Sequence, residues 1–140
     1  MSLGYAGDLT PTEAWQKLAT QPKAALVDVR TVAEWSYVGV PDLASLTKPV
    51  HRISWQIFPE MQVNTGFVDQ VKAAGLTPDQ PILLLCRSGV RSVAAAKALT
   101  EQGFTACYNI RDGFEGGPDG EKHRGRVAGW KVEGLPWVQG

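Results

Sequence analysis

Cys86 is followed by Arg87, Ser88, Gly89, Val90, Arg91 and Ser92, a short glycine-containing segment with two permanent cations. A cysteine attacks as its thiolate. Nearby cations, inward-pointing loop amides and the positive end of a helix all favour that form. The apolar run Ile82 to Leu85 stands immediately before Cys86, and a helical pattern follows from Ser92. In open α/β sheets ligands gather at the C-terminal ends of the strands, which is where Cys86 falls. The same features draw in an anion. The pattern therefore fits a nucleophilic cysteine attacking an anionic substrate, with sulfur and phosphorus as the two main targets. Cys86 is the candidate catalytic residue. Arg87, Ser88, Gly89, Val90 and Arg91 are candidates for binding the substrate, and Ser92 for supporting them.

The plainer reading of a cysteine after an apolar strand is a small buried hydrophobe. Cys107 has that setting: it lies inside a strand pattern, with no arginine-bearing, glycine-containing loop after it. For Cys86 the plain reading leaves Arg87, Gly89 and Arg91 as coincidences. Gly89 suits a turn tight enough to gather its amides. Arg91 would sit in the first turn of a helix, where a cation opposes the helix dipole, so its placement calls for an anion beside it. No histidine neighbours the segment, so a Cys–His pair is not assembled locally. The two cysteines are too few for a disulfide framework and lack metal-ligand spacing with His51 and His123.

The surrounding elements must position this segment. Thr10, Pro11 and Glu13 form a capping box that starts a helix with Ala14, Trp15 and Leu18 on its apolar face. Ala24 to Val29 reads as a buried strand, with Asp28 and Arg30 at its C-terminal end. Thr31 and Glu34 repeat the capping box and open a short helix carrying Val32, Trp35 and Val38. The stretch from Gly39 to Pro59 is irregular, with one short strand near Val50 to Ser54. Asn64 or Thr65 caps a third helix, with Phe67, Val68 and Val71 inward and Gly75 closing it. Ile82 to Leu85 has the continuous apolar character of a strand covered on both faces. Ser92 to Gln102 is a helix ended by Gly103, Phe104 to Ile110 is a strand, and Val127 to Val132 is a last short helix. Such alternation predicts a parallel sheet with helices on both faces.

Composition sets the outer bounds. A chain of 140 residues, 44% hydrophobic and 20% charged, fits one domain with a real core. Zero formal net charge argues against a nucleic-acid partner. No apolar run approaches membrane-spanning length, and residues 1–8 lack the features of a signal peptide, so no membrane partner and a cytoplasmic location are expected.

Taken in order, these pieces resemble the rhodanese family of sulfurtransferases. Leu26-Val27-Asp28-Val29-Arg30 with Glu34-Trp35 resembles the family's first signature, and Ile82 to Ser92 its active-site strand, loop and helix start. Gly103-Phe104 and Tyr108-Asn109-Ile110 resemble the strand that follows. Gly129-Trp130 and Gly134-Leu135-Pro136 resemble a common ending. The resemblance spans nearly the whole chain. It implies a single rhodanese-like domain over residues 1–140, with a core of about 8–138. The implied fold is a three-layer α/β/α arrangement around a mostly parallel sheet of about five strands.

The family implies that Cys86 takes a sulfane sulfur from a small anionic donor such as thiosulfate. A thiophilic acceptor, cyanide or a thiol, then removes it from the Cys86 persulfide. No metal or organic cofactor is needed. Arg87 and Arg91 would steer the donor, and Asp28 and Arg30 would support the loop as a buried ion pair. A protein that accepts or merely binds the carried sulfur is the alternative. Phosphatase or arsenate-reductase chemistry is the third reading, disfavoured because four residues separate Cys86 from Arg91 where cysteine phosphatases carry five. Two stretches depart from the family pattern. Gly39-Val40-Pro41-Asp42-Leu43 replaces a Gly-His-Ile-Pro-Gly-Ala-like segment, and an insertion runs from about 117 to 127. The insertion is read as a solvated surface loop, or alternatively as a docking loop that shapes acceptor choice.

Overall fold

The computed structural model describes residues 4–57, 60, 62–87, 90–116 and 129–138. The elements run β1 Gly7–Leu9, α1 Pro11–Thr20, β2 Ala25–Asp28, α2 Val32–Tyr37, β3 Val40–Pro41, a 3-10 turn over Ala44–Leu46, and β4 Val50–Arg52. They continue β5 Gln56–Ile57, β6 Gln62–Val63, α3 Phe67–Ala73, β7 Ile82–Leu85, α4 Val90–Glu101, β8 Cys107–Ile110 and β9 Trp137–Val138. Five strands form one sheet in the order β1-β8-β7-β2-β4, every neighbouring pair parallel. Two small antiparallel pairs, β3 with β9 and β5 with β6, stand beside it. This is the expected α/β architecture.

Strand geometry decides which residues face which layer. Side chains alternate across a strand, so Ile82 and Leu84 of β7 point to one face and Leu83 and Leu85 to the other. The first set packs with Phe67 and Val71 of α3 and with Ala95, Ala96 and Leu99 of α4. The second packs with Ala14 and Leu18 of α1, and with Leu43, Phe114 and Trp130. Both capping boxes are present, Thr10 with Glu13 and Thr31 with Glu34. Glu133 adds a second tie at the start of α1, accepting from the Thr12 amide at 2.9 Å.

Several local expectations change. Gly7–Leu9, unmarked in the sequence, is an edge strand whose order comes from pairing with β8. Val32 is 62% exposed, because the six-residue α2 buries only a narrow stripe. Gly66, rather than Asn64 or Thr65, is the N-cap of α3; the Asn64 carboxamide accepts from the Gly66 amide in an Asx turn one step earlier. The helix after Cys86 begins at Val90, two residues sooner than the pattern from Ser92 suggested. Of the helix expected over Val127 to Val132, residues 127 and 128 lie outside the described residues and 129–132 form a bend and turns instead, and Trp137–Val138 then pairs with Val40–Pro41. No helix among the described residues is long and apolar enough to cross a membrane.

Candidate active site

Cys86 stands one residue past the C-terminal end of β7, a strand with neighbours on both sides. Strand parity turns its side chain toward α3 and α4, where it is 1% exposed. Because α4 starts at Val90, Arg91 and Ser92 lie in its first turn. Ser92 Oγ comes within 3.3 Å of Cys86 Sγ. Ser88 and Gly89 lie outside the described residues, as does the 117–127 insertion, so the expected convergence of loop amides falls outside them too.

The other side of the segment is described. The Phe114 amide donates to the Cys86 carbonyl at 2.8 Å, and the Glu115 and Gly116 amides donate to the Arg87 carbonyl at 2.9 and 3.1 Å. The turn after β8 thus clamps the chain as it leaves β7. Gly113 makes this approach possible. Its φ is +58°, and a Cβ there would lie 2.3 Å from the Cys86 carbonyl oxygen. Arg87 itself is exposed.

Arg91 has an anion beside it, supplied by the chain. Its two terminal nitrogens grip the two Glu34 carboxylate oxygens at 2.7 and 2.9 Å, a planar fork on a planar acceptor. Both side chains are largely buried. Burial pushes the Glu34 carboxyl up, but the Arg91 hydrogen bonds and charge outweigh it and hold the group below its ordinary range. Burial likewise disfavours charge on Arg91, but the Glu34 carboxylate outweighs it, reinforced by Cys86 and Asp28, and Arg91 is raised. Glu34 also caps α2 through Thr31, so one carboxylate ties the start of α2 to the start of α4.

Asp28 and Arg30 form the buried ion pair that the sequence suggested. Both are fully buried, and Arg30 Nε and Nη2 donate to the Asp28 carboxylate at 2.9 and 2.7 Å. The same Nη2 donates to the Gly39 carbonyl at 2.7 Å, and the guanidinium lies 4.3 Å from the centre of the Phe114 ring. Arg30 thereby joins β2, the segment after α2 and the turn that clamps Cys86. A buried charge is tolerated only when so engaged.

A second polar chain was not foreseen. Ser92 Oγ lies within hydrogen-bond reach of Asn109 Oδ1 in β8. Asn109 Nδ2 donates to an Asp8 carboxylate oxygen at 2.9 Å, and that oxygen also accepts from the Tyr5 hydroxyl at 2.8 Å. The available signal was Asn109 itself, an amide inside an otherwise apolar strand. Cys107, by contrast, has its thiol pushed up by burial to about 11. Among the described residues no cluster of three or more His, Cys, Asp or Glu could hold a metal.

The chain is similar to known proteins to differing degrees. Residues 7–140 match the family model of the STR4 middle domain. The crystal structure of Rv0390 from M. tuberculosis is 48% identical, with a TM-score of 0.89 over 97% of this chain and 99% of that one. The polysulfide-sulfur transferase of Wolinella succinogenes is 25% identical, with a TM-score of 0.65 over 98% of this chain and 80% of that one. The thiosulfate sulfurtransferase GlpE of Actinobacillus succinogenes is 29% identical over 129 residues, 92% of this chain and 87% of that protein.

Proposed function

The chain belongs to the STR4 middle-domain family and is rhodanese-like, and on that premise we propose that it is a sulfurtransferase working through Cys86. The observation that carries this reading is the thiol at the C-terminal end of a central parallel strand, in contact with Ser92 at the start of a helix. In the proposed reaction the Cys86 thiolate attacks the sulfane sulfur of thiosulfate. The new S–S bond forms as the bond to the sulfonate sulfur breaks, and sulfite leaves with the bonding pair. A cyanide or thiolate acceptor then attacks the terminal sulfur, and Cys86 leaves as thiolate. The covalent intermediate makes the kinetics ping-pong.

Exposed Arg87 meets the donor, with Ser88, Gly89 and Val90 as the rest of the cradle; Arg91 adds charge from behind, and Asp28, Arg30 and Ser92 support. Polysulfide is the second donor class. It is suggested by the W. succinogenes relative, which is named for polysulfide. Incubation with thiosulfate or polysulfide, followed by intact mass measurement, should show one added sulfur. The gain should vanish in Cys86→Ser and survive in Cys107→Ser. No added sulfur from any sulfane donor would sink the proposal.

A further inference from the structure

We infer that Asn109, held by Asp8, sets the direction of the Ser92 hydroxyl and through it governs how readily Cys86 gives up its proton. The inference rests on Cys86 being the reactive thiol proposed above. Ser92 has one hydroxyl proton and, among the described residues, two polar neighbours, Cys86 Sγ at 3.3 Å and Asn109 Oδ1. The orientation of the Asn109 amide is fixed from its far side. Its Nδ2 lies 2.9 Å from an Asp8 carboxylate oxygen, and a carboxylate can only accept. Oδ1 therefore faces Ser92, and a carbonyl oxygen can only accept too. The Ser92 proton goes to Asn109, and a hydroxyl lone pair is left facing the sulfur.

In that state the Cys86 S–H donates to Ser92, and the thiol is favoured over the thiolate. A thiolate needs the reverse arrangement: Ser92 turns its proton onto the sulfur and gives up Asn109. Ser92 and Asn109 are both buried, so bulk water does not replace the bond that is lost. Tyr5, donating to the same Asp8 oxygen at 2.8 Å, holds the outer end in place.

Several charged or titratable groups surround Cys86 among the described residues. Arg91 stands on α4 with Glu34 of α2 against it, Asp28 and Arg30 close the end of β2, and Arg87 follows in the chain. Asp8 and Tyr5 lie behind Asn109, and Cys107 shares the apolar face. The Arg91 charge interacts with Cys86 directly, whereas Asn109 acts on it through Ser92. Asn109 is thus a positioning residue, acting on the sulfur through a hydroxyl.

The test is the pH profile of Cys86 alkylation by iodoacetamide, resolved from Cys107 by peptide mass. Asn109→Leu removes the acceptor, and Asp8→Asn frees the amide to turn over. Asp8→Asn lies at the sheet edge and serves if Asn109→Leu does not fold. Each should move half-maximal alkylation down by about one pH unit, about tenfold in rate below the midpoint. In a Ser92→Ala background neither change should move the profile. Unshifted profiles in the single variants would overturn the inference. So would an equal shift without Ser92, which would assign the effect to charge or packing. Sulfur loading of the same samples is scored separately. Shifted profiles without loading would leave the hydroxyl inference standing and remove the sulfurtransferase reading.

Discussion

Cys86 and Cys107 share one apolar cluster and are equally hidden, at 1% and 0% exposure. Cys107 opens β8, flanked by the parallel strand β7, and burial pushes its thiol up to about 11 against an opposing hydrogen bond with Thr100. Cys86 sits one residue beyond β7, where the sheet hydrogen bonding ends and polar groups take over. Ser92 touches it, the Arg91 charge reaches it, and the Phe114 amide in the turn after β8 holds its carbonyl. On the proposed function, burial therefore does not separate the reactive cysteine from the inert one. What separates them is a displacement of one position past a strand end, into a frame of paired charges.

The sharpest way to break this contrast is to exchange the sulfurs. Cys86→Ser should lower thiocyanate formation from thiosulfate and cyanide by at least ~10³-fold, while Cys107→Ser should stay within about twofold. Equal losses would erase the distinction. Next comes the frame. Arg30→Leu strands a buried Asp28 carboxylate and should cost about 3–5 kcal/mol in urea unfolding. Asp28→Asn combined with Arg30→Leu should recover part of that loss, because no buried charge is left alone.

Gly113→Ala follows. A side chain at φ +58° and 2.3 Å from the Cys86 carbonyl forces the turn off the segment. A stability loss of about 1–3 kcal/mol is expected, with slower sulfur loading in the folded fraction. Acid titration then probes the outer pair. Glu34 is lowered in the folded protein, so its stabilisation is present above the ordinary value of 4.5 and is lost as pH falls below it. Glu34→Gln should flatten that stretch of the stability–pH curve. The smallest effect belongs to Cys107. Its thiol is raised, so the folded state keeps a proton that the unfolded chain loses between the ordinary 9.0 and about 11. Stability should fall with rising pH across that window, and Cys107→Ala should remove this contribution to the slope.

Residues whose partners are local were legible in the sequence. The two capping boxes, the apolar run before Cys86 and the Asp28–Arg30 pair span four residues or fewer, and all are present as read. Period and cap chemistry carry such features directly. The Arg91–Glu34 grip joins residues 57 apart, and Asn109 meets Asp8 across 101. Their pairing follows from the sheet order, which places β1 beside β8 and sets α2 near α4. Even the strand β1 owes its extended form to that neighbour, since Gly7-Asp8-Leu9 has weak strand character alone. Arg91 shows the intermediate case. The need for an anion was visible from helix polarity, but the identity of that anion was not.

Gly116 and Gly129 meet at the base of the 117–128 excursion: a Cβ on Gly129 would come within 2.7 Å of the Gly116 nitrogen. Either side of that meeting point, the Trp130 amide donates to the Gly113 carbonyl and the Lys131 amide to the Phe114 carbonyl. The chain departs and returns through one narrow doorway, and the hinge posts belong to the turn that holds Cys86. Each doubling of a closed loop costs only about 0.6 kcal/mol. The excursion can therefore be lengthened, shortened or rewritten almost independently of the sheet. Its two ends are fixed by the turn that holds Cys86, so a change in its length leaves that turn in place.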